Sequence, residues 1–477
     1  MSPTFQCERA RRATRMLTAL LVGIGVPWGT SSAQSLGFDA FYRQVRAQHP
    51  IARQAQLTAE IAAADLRGAL GAFEPVLSVG WDNKTFGGKS YYDEYAFKLT
   101  VPTSVGMDVK LGFDRAGGSN LNPESTVPKN GLWSAGVSIP LGQRTLTDER
   151  RTALAQSRAA RDGADGERAA ALNKLLLSAA KDWAAWSEAE RKAAIARDGV
   201  GLAEFRLSAV RTRVRNGDAA AIDTVEAGLE VDRRTVARLD AEAAAVSARL
   251  VVNSYLWSAA GTPQDLGAEV RPEEPAVSSL VADSLAEQRW IAAAERSHPE
   301  LAKLTAKLRQ SEAQRLLARQ SVLPLASVDL AALGVGDPSA IGFTGSDLKA
   351  GASAKLSPLL IKDRAKLAAA TAKLERDRLE LQRTQRDVAL AVREAANQYR
   401  AIEAQRERQA RAVTQARLLR DAEQRRLDTG ESSLLVVNLR ERALLDEQVK
   451  LAALDAKRLS TRAALGVAIG APAIVGF

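Results

Sequence analysis

HPELAKLTAKLRQSEAQRLLARQSVLPLASV, residues 298–328, decides how this chain reads, because the chain writes the same plan twice. His298-Pro299 opens an apolar-periodic run, and Pro324 leads into alternating residues. Upstream, His49-Pro50 opens a similar run that ends at Pro75 before Val76 to Asp82. Pro50 and Pro75 recur as Pro299 and Pro324, each 249 residues later, and the two His-Pro pairs hold the only 2 histidines present. An offset kept over half the chain marks an internal duplication. Two histidines in matching places at two helix entrances read as structural, not as metal ligands or catalysts.

Working outward, Phe41 to Ala72 shows apolar residues at helical spacing and stops where Pro75 forbids continuation. The next segment changes period. Leu77, Val79 and Trp81 alternate with polar or small residues, as do Tyr95 to Val101, Met107 to Phe113 and Trp133 to Leu141. Nine of the 23 aromatic residues crowd between Phe73 and Trp133. Strands of about 9–11 residues, apolar on one side, polar on the other and ringed by Trp and Tyr, suit a transmembrane β-barrel. Arg115 to Gly131, rich in Gly, Asn and Pro, reads as an exposed loop.

From Arg144 to Asn216 no proline interrupts a helical rod of roughly 100 Å. Gly217 breaks it, and Ala219 to Ala260 returns. Gly261 to Pro275, with Pro263, Pro272 and Pro275, begins the linker between repeats. The second repeat follows the same order: a helix to about Arg319, strands within 325–357, a rod from Lys362 to Asp428, a break at Gly430, and a return from Ser433 to Gly466. Leu367, Leu374, Leu381, Val388, Ala395 and Ile402 fall seven apart, a coiled-coil seam. The expected division is a leader at 1–33, repeats at 34–261 and 285–470 with first-repeat strands in 75–141, a linker at 262–284 and a tail at 471–477.

The leader rests on Arg9, Arg11, Arg12 and Arg15, the apolar run Met16 to Val26, and small residues at Ser31 and Ala33 before Gln34. Its removal takes Cys7, the lone cysteine, and lowers the net charge from +10 to +7 by removing four arginines and one glutamate. Basic and acidic residues interleave along the helices, so they read as solvated faces, with no nucleic-acid stripe. No catalytic constellation, phosphate-cradling loop or metal-ligand spacing stands out. The expectation is a non-enzyme without cofactor or metal.

Taken together, the paired His-Pro…Pro entrances and RLDTGESSLLVVN at 426–438 resemble the TolC-like outer-membrane efflux and secretion channels. The resemblance covers essentially all of the chain after the leader. It implies a mainly α fold with transmembrane β: a homotrimer, each chain of two tandem repeats, forming a long α-helical coiled-coil barrel and an outer-membrane β-barrel. It also implies an outer-membrane location with the tunnel extending into the periplasm. The partners implied are outer-membrane lipid, a periplasmic adaptor (membrane fusion protein) and an inner-membrane pump. Strand number departs from the family's two per repeat, since the first repeat writes four segments. Three chains supply 12 or 18 strands, and the written segments favour 18.

The resemblance further implies an acidic constriction just beyond the tip glycine. Asp223 and Glu226, six and nine residues past Gly217, share a helix face. The matching positions past Gly430 are Val436 and Leu439, with Asn438 beside them as a further pore candidate. The family's tyrosine and arginine locks are replaced by Leu427 and Ser432. Arg215, Asn216, Gly217, Thr429, Gly430, Glu431 and Ser432 are the expected adaptor-contacting tips. The function implied is a passive exit duct. The competing reading is a periplasmic coiled-coil adaptor or scaffold without a pore, which has no need of an outward apolar strand face.

Overall fold

The computed structural model describes residues 35–119, 121, 127–273, 280, 282–342 and 347–470. The expected leader at 1–33 and tail at 471–477 lie outside them. The first repeat runs α1 (Phe38–Gln48), α2 (Pro50–Gly71), strands β2 (Val76–Phe86), β3 (Lys89–Pro102), β4 (Asp108–Gly117) and β5 (Leu132–Gly142), rod α3 (Glu149–Arg215) and α4 (Ala221–Asn253). The second runs α5 (Ser284–Ser297), α6 (Pro299–Gln320), β7 (Leu325–Val335), β8 (Leu348–Lys355), rod α7 (Ile361–Asp428) and α8 (Leu434–Ile469). A two-residue strand β1 (Ser35–Leu36) pairs in parallel with β6 (Arg271–Pro272), tying the segment ahead of α1 to the inter-repeat segment.

The helix expected over Phe41 to Ala72 is two helices, and His49 is the reason. Its backbone is extended (φ −63°, ψ 137°), its side chain accepts from the Ile51 N–H, and Pro50 begins α2. His298 repeats the device at φ −65°, ψ 128°, accepting from the Glu300 N–H ahead of α6. Proline at the first helical position gives up only an N–H that would be unpaired there anyway. Burial lowers the pKa of both imidazoles, at His298 against the opposing pull of Glu300 and the Val467 backbone. The neutral ring is the form that can accept the capping bond.

Rods α3 and α7 contain 67 and 68 residues, each roughly 100 Å long. The shorter helices stack end to end against them. α2 and α4 both pack on α3, while α6 and α8 pack on both rods. The chain is therefore a helical layer four columns wide, in the order α2/α4, α3, α6/α8, α7. Its main core lies at the midpoint of α3. There Phe41 of α1 lies 4.8 Å from Trp183, and Trp183 meets Trp186 edge-on at 5.1 Å. Both tryptophans are fully buried among Val45, Val252 and Leu459. Each such ring removes on the order of 200 Å² from water, roughly 5 kcal/mol at about 25 cal/mol/Å². A second cluster around Val392, Ala396, Leu465 and Ile469 girdles the middle of α7. On α7, Leu374, Val388, Ala395 and Ile402 of the heptad seam are buried.

Two glycines let α6 lie close against α3. A Cβ at Gly163 would stand 2.5 Å from the Ala306 Cβ, and one at Gly166 only 2.9 Å from the Pro299 carbonyl.

The strands form one antiparallel sheet in the order β2-β3-β4-β5-β7-β8, with the repeats joined at β5–β7. From Pro75 to Gly217 is 142 residues, and from Pro324 to Gly430 only 106. The rods differ by one residue, so the 36-residue difference falls in the strand block. The first repeat carries one hairpin more.

These contacts predict that Gly163→Val costs about 1–3 kcal/mol, by overpacking a close helix crossing. Gly201→Ala, in the same helix with nothing near its would-be Cβ, should be neutral or slightly stabilising. Thermal unfolding of both variants checks the contrast; equal melting temperatures would show that the α3–α6 approach is not tight.

Candidate functional site

Two regions of the chain carry its functional geometry: the two faces of the sheet, and the end of the rods at Gly217 and Gly430. In the sheet, register places Val79 beside Phe97, Phe113 and Trp133 in one row. Val101, Val109, Val137 and Leu330 form another. One face is thus apolar from the rod end up to Trp81 and Tyr95, beyond which Asn83, Asp93 and Arg115 lie on it near the β2–β3 turn. Its aromatics gather towards the β2–β3 turn, where Trp81 stacks on Tyr95 at 6.4 Å and Phe113 lies 4.8 Å from Trp133. The other face carries Ser, Gly, Lys and Asp. There Lys110 on β4 reaches across β5 to Asp329 on β7, at 2.8 Å. Gly136 lies opposite Lys110 on the intervening strand and leaves room for that reach.

At the tip the two repeats make the same turn. Gly217 and Gly430 have φ of 79° and 84°, the left-handed conformation that closes a helix C-terminus and favours glycine. Asp218 N–H returns to the Arg213 carbonyl, and Glu431 N–H to that of Arg426. The helices resume at Ala221 and Leu434, four residues past each glycine. Arg215, Asn216, Gly217, Thr429, Gly430 and Glu431 are exposed at this end. Ser432 is turned inward and donates to Glu423 at 2.5 Å.

Of the three residues expected at a constriction, Asp223 is half-buried and Glu226 exposed, with Leu439 exposed nearby in sequence to Asn438. Asn438 itself is elsewhere. It is only 5% exposed, and its side-chain oxygen accepts from the Arg206 guanidinium at 2.9 Å. It faces the protomer's interior, because α8 turns its neighbour Leu439 outward and so must turn Asn438 towards α3.

Around Arg206 lies a charged network that the sequence does not announce. Arg206 makes a forked pair with Glu441 and also donates to Gln424 at 3.1 Å. Arg234 joins Glu441 at 2.9 Å to Glu230 at 2.9 Å, and its third nitrogen reaches the Gly199 carbonyl at 3.0 Å. Arg442 then closes on Glu230. Four helices, α3, α4, α7 and α8, are locked together at one level above the tip. Burial raises the Glu230 pKa, but hydrogen bonds from Arg442 and Arg234 outweigh it and hold the carboxyl below the ordinary value. The only local hint was the i, i+4 pair Glu230–Arg234.

No sequence-family model matches the chain, and no curated protein matches it in sequence. Solved structures do match its architecture. The outer membrane protein VceC from Vibrio cholerae superposes with a TM-score of 0.65 at 14% identity, covering 91% of this chain and 96% of that one. The Campylobacter jejuni CmeC outer membrane channel gives 0.61 at 14%, covering 91% and 85%. The open state of the Neisseria gonorrhoeae MtrE outer membrane channel gives 0.61 at 15%, covering 91% and 88%. This chain has the TolC-like channel fold. Within that fold, the two tip turns and the sheet occupy opposite ends of the rods. Among the described residues, no group of three or more His, Cys, Asp or Glu could hold a metal ion.

Removing one partner of a buried ion pair leaves the other charge uncompensated, at a cost of about 3–5 kcal/mol. Glu441→Ala should therefore speed amide hydrogen exchange near Arg206 and Val437 by at least about a hundredfold, with the Trp183 core unchanged. A lowered carboxyl pKa stabilises above the unfolded value of about 4.3 and ceases to do so as pH falls through the folded value. Protection near Glu230, taken relative to the intrinsic exchange rate at each pH, should thus fall below about pH 4.3 in the native protein. Uniform exchange in wild type and variant would show that the network does not hold the tip.

Proposed function

We propose that this protein is the outer-membrane duct of a tripartite efflux or type I secretion system: a passive trimeric channel through the outer membrane and periplasm. The observation that carries this reading is the six-stranded sheet with one face apolar from the rods to the Trp81–Tyr95 level and two unpaired edges, β2 and β8. In hydrocarbon an open strand edge leaves backbone polar groups unsatisfied, so only a closed barrel is viable. Six is an even number, so β2 and β8 run in opposite directions. A threefold axis then sets β8 of one chain antiparallel to β2 of the next, and the barrel closes with 18 strands.

Cross-sections support that count. Strands about 4.8 Å apart and tilted about 40° enclose roughly 36 Å across when there are 18, but roughly 24 Å when there are 12. Three layers of four helical columns, about 10 Å apart, make a tube roughly 39 Å across. The wider barrel continues the tube. The edge column also offers a seam: Ile222, Val225, Leu229, Val236, Leu239, Val246 and Leu250 of α4 are exposed in the single chain. They fall at coiled-coil a and d spacing, which suits the α7 edge of a neighbour. A coiled-coil adaptor without a pore would have no use for the apolar strand face. By the same likeness, the exposed tip residues would meet a periplasmic adaptor that links the duct to an inner-membrane pump.

Fractionation tests the reading directly. The protein should be extracted by mild detergent from outer membranes as a trimer; a soluble periplasmic monomer would end it. Val137→Arg should cost about 2–4 kcal/mol by pointing a charge at lipid, whereas Ser138→Arg, on the polar face, should be mild. Trimer yield after extraction compares them, and equal yields would mean that no lipid face exists.

Asp223 and Glu226 would place six carboxylates around the periplasmic end of the trimer. Crowded like charges concentrate a negative potential and draw cations. The double variant Asp223→Asn with Glu226→Gln should lose cation selectivity in reversal-potential measurements on planar bilayers. Full selectivity in that variant would place the constriction elsewhere.

A further inference from the structure

The polar face of the sheet is not uniform in charge, and on the channel reading above it lines the barrel. Asp82, Glu94 and Asp114 face this side near the β2–β3 turn, outnumbering Lys84, and Asp82 and Glu94 stand directly opposite each other. Further towards the rods come Lys98, Lys110, Lys349 and Lys355. Two carboxylates among them are already engaged. Asp329 holds Lys110, and Asp108 holds Arg150 at 2.9 Å. Lys98, Lys349 and Lys355 are exposed, and among the described residues no carboxylate lies within ion-pair distance of any of them.

Their setting keeps these ammonium groups accessible. Lys98 stands opposite Gly112, and Gly351 follows Lys349 by two on the same face, so little side-chain bulk surrounds these two; Lys355 stands opposite Leu325 at the end of β8 and is exposed. We infer that Lys98, Lys349 and Lys355 form a basic band in the barrel wall that binds multivalent anionic solutes, below an acidic mouth that does not. In a threefold assembly the band would hold nine ammonium groups.

Screening decides which ligands can sense the band. The Debye length is about 8 Å at physiological salt and about 10 Å at 0.1 M. In a barrel of the width derived above, a monovalent anion on the axis is beyond reach, and the cation preference of a distant tip is left unaltered. A polyanion against the wall can bridge Lys349 and Lys355, six residues apart on β8 and so separated by roughly 20 Å between backbones, through their extended side chains, exchanging its counterions for them. Binding should therefore be strong at low salt and weak at high salt.

Inositol hexakisphosphate serves as the probe, titrated by calorimetry into the detergent-extracted trimer at low salt. Wild type should bind, and Lys98→Gln with Lys349→Gln and Lys355→Gln should weaken affinity by at least about tenfold. The corresponding triple arginine variant should bind like wild type, separating charge from any fault in folding. The neutral-pair variant Lys110→Gln with Asp329→Asn should also bind like wild type. No binding by wild type, or undiminished binding by the glutamine variant, overturns the inference while gel filtration still shows a trimer. Absence of any trimer overturns the channel reading itself, and the band with it.

Discussion

A strand edge cannot be left open in hydrocarbon, and the rest of this structure depends on that rule. The sheet has a broad apolar belt on one face, the side that the channel reading sets against lipid; its two edges are unpaired within the chain, so on that reading one chain cannot stand there alone. Closure by copies of the same chain is the remedy the geometry allows. The even strand number makes that closure antiparallel without any further adjustment, because the first strand ascends from α2 and the last descends into α7.

The helical part answers a different physical problem. Two rods of roughly 100 Å cannot bury a compact core along their whole length. The chain concentrates its large side chains at the rod midpoints, where α1 closes over Trp183 and Trp186 and the second cluster does the same service for α7. Above and below those belts, small residues and glycines permit close approach, as at Gly163 and Gly166. Ion pairs then fix the columns against one another: Asp455 with Arg191 and Arg406, Glu403 with Arg458, and Glu441 with Arg206 and Arg234. Such pairs contribute little net stability but penalise any register in which a buried charge loses its partner.

The two repeats share their entrances and tips yet differ in between. The histidine caps and tip glycines repeat closely in backbone conformation. The strand blocks do not, since the first holds four strands and the second two. The tips differ in chemistry as well: the positions of Asp223 and Glu226 in one repeat correspond to Val436 and Leu439 in the other. Duplication preserved the elements that place the backbone and left the side chains just past each tip free to diverge.

Much of this was legible in the sequence because the signals are local. Alternation at period two, heptad spacing, a proline after histidine and a glycine between long helical runs each report on neighbours a few residues away. They sufficed for the duplication, the rods, four strands followed by two, the tip turns and the lipid-compatible face. Tertiary structure alone decided the order of the four columns and the edge position of α4. It also decided that Asn438 turns inward to Arg206, 232 residues away, and that Arg206 pairs with Glu441 across 235 residues. The reason is that a polar side chain on a long helix carries no local mark of whether it meets water or a partner. Only the packing of distant helices settles which.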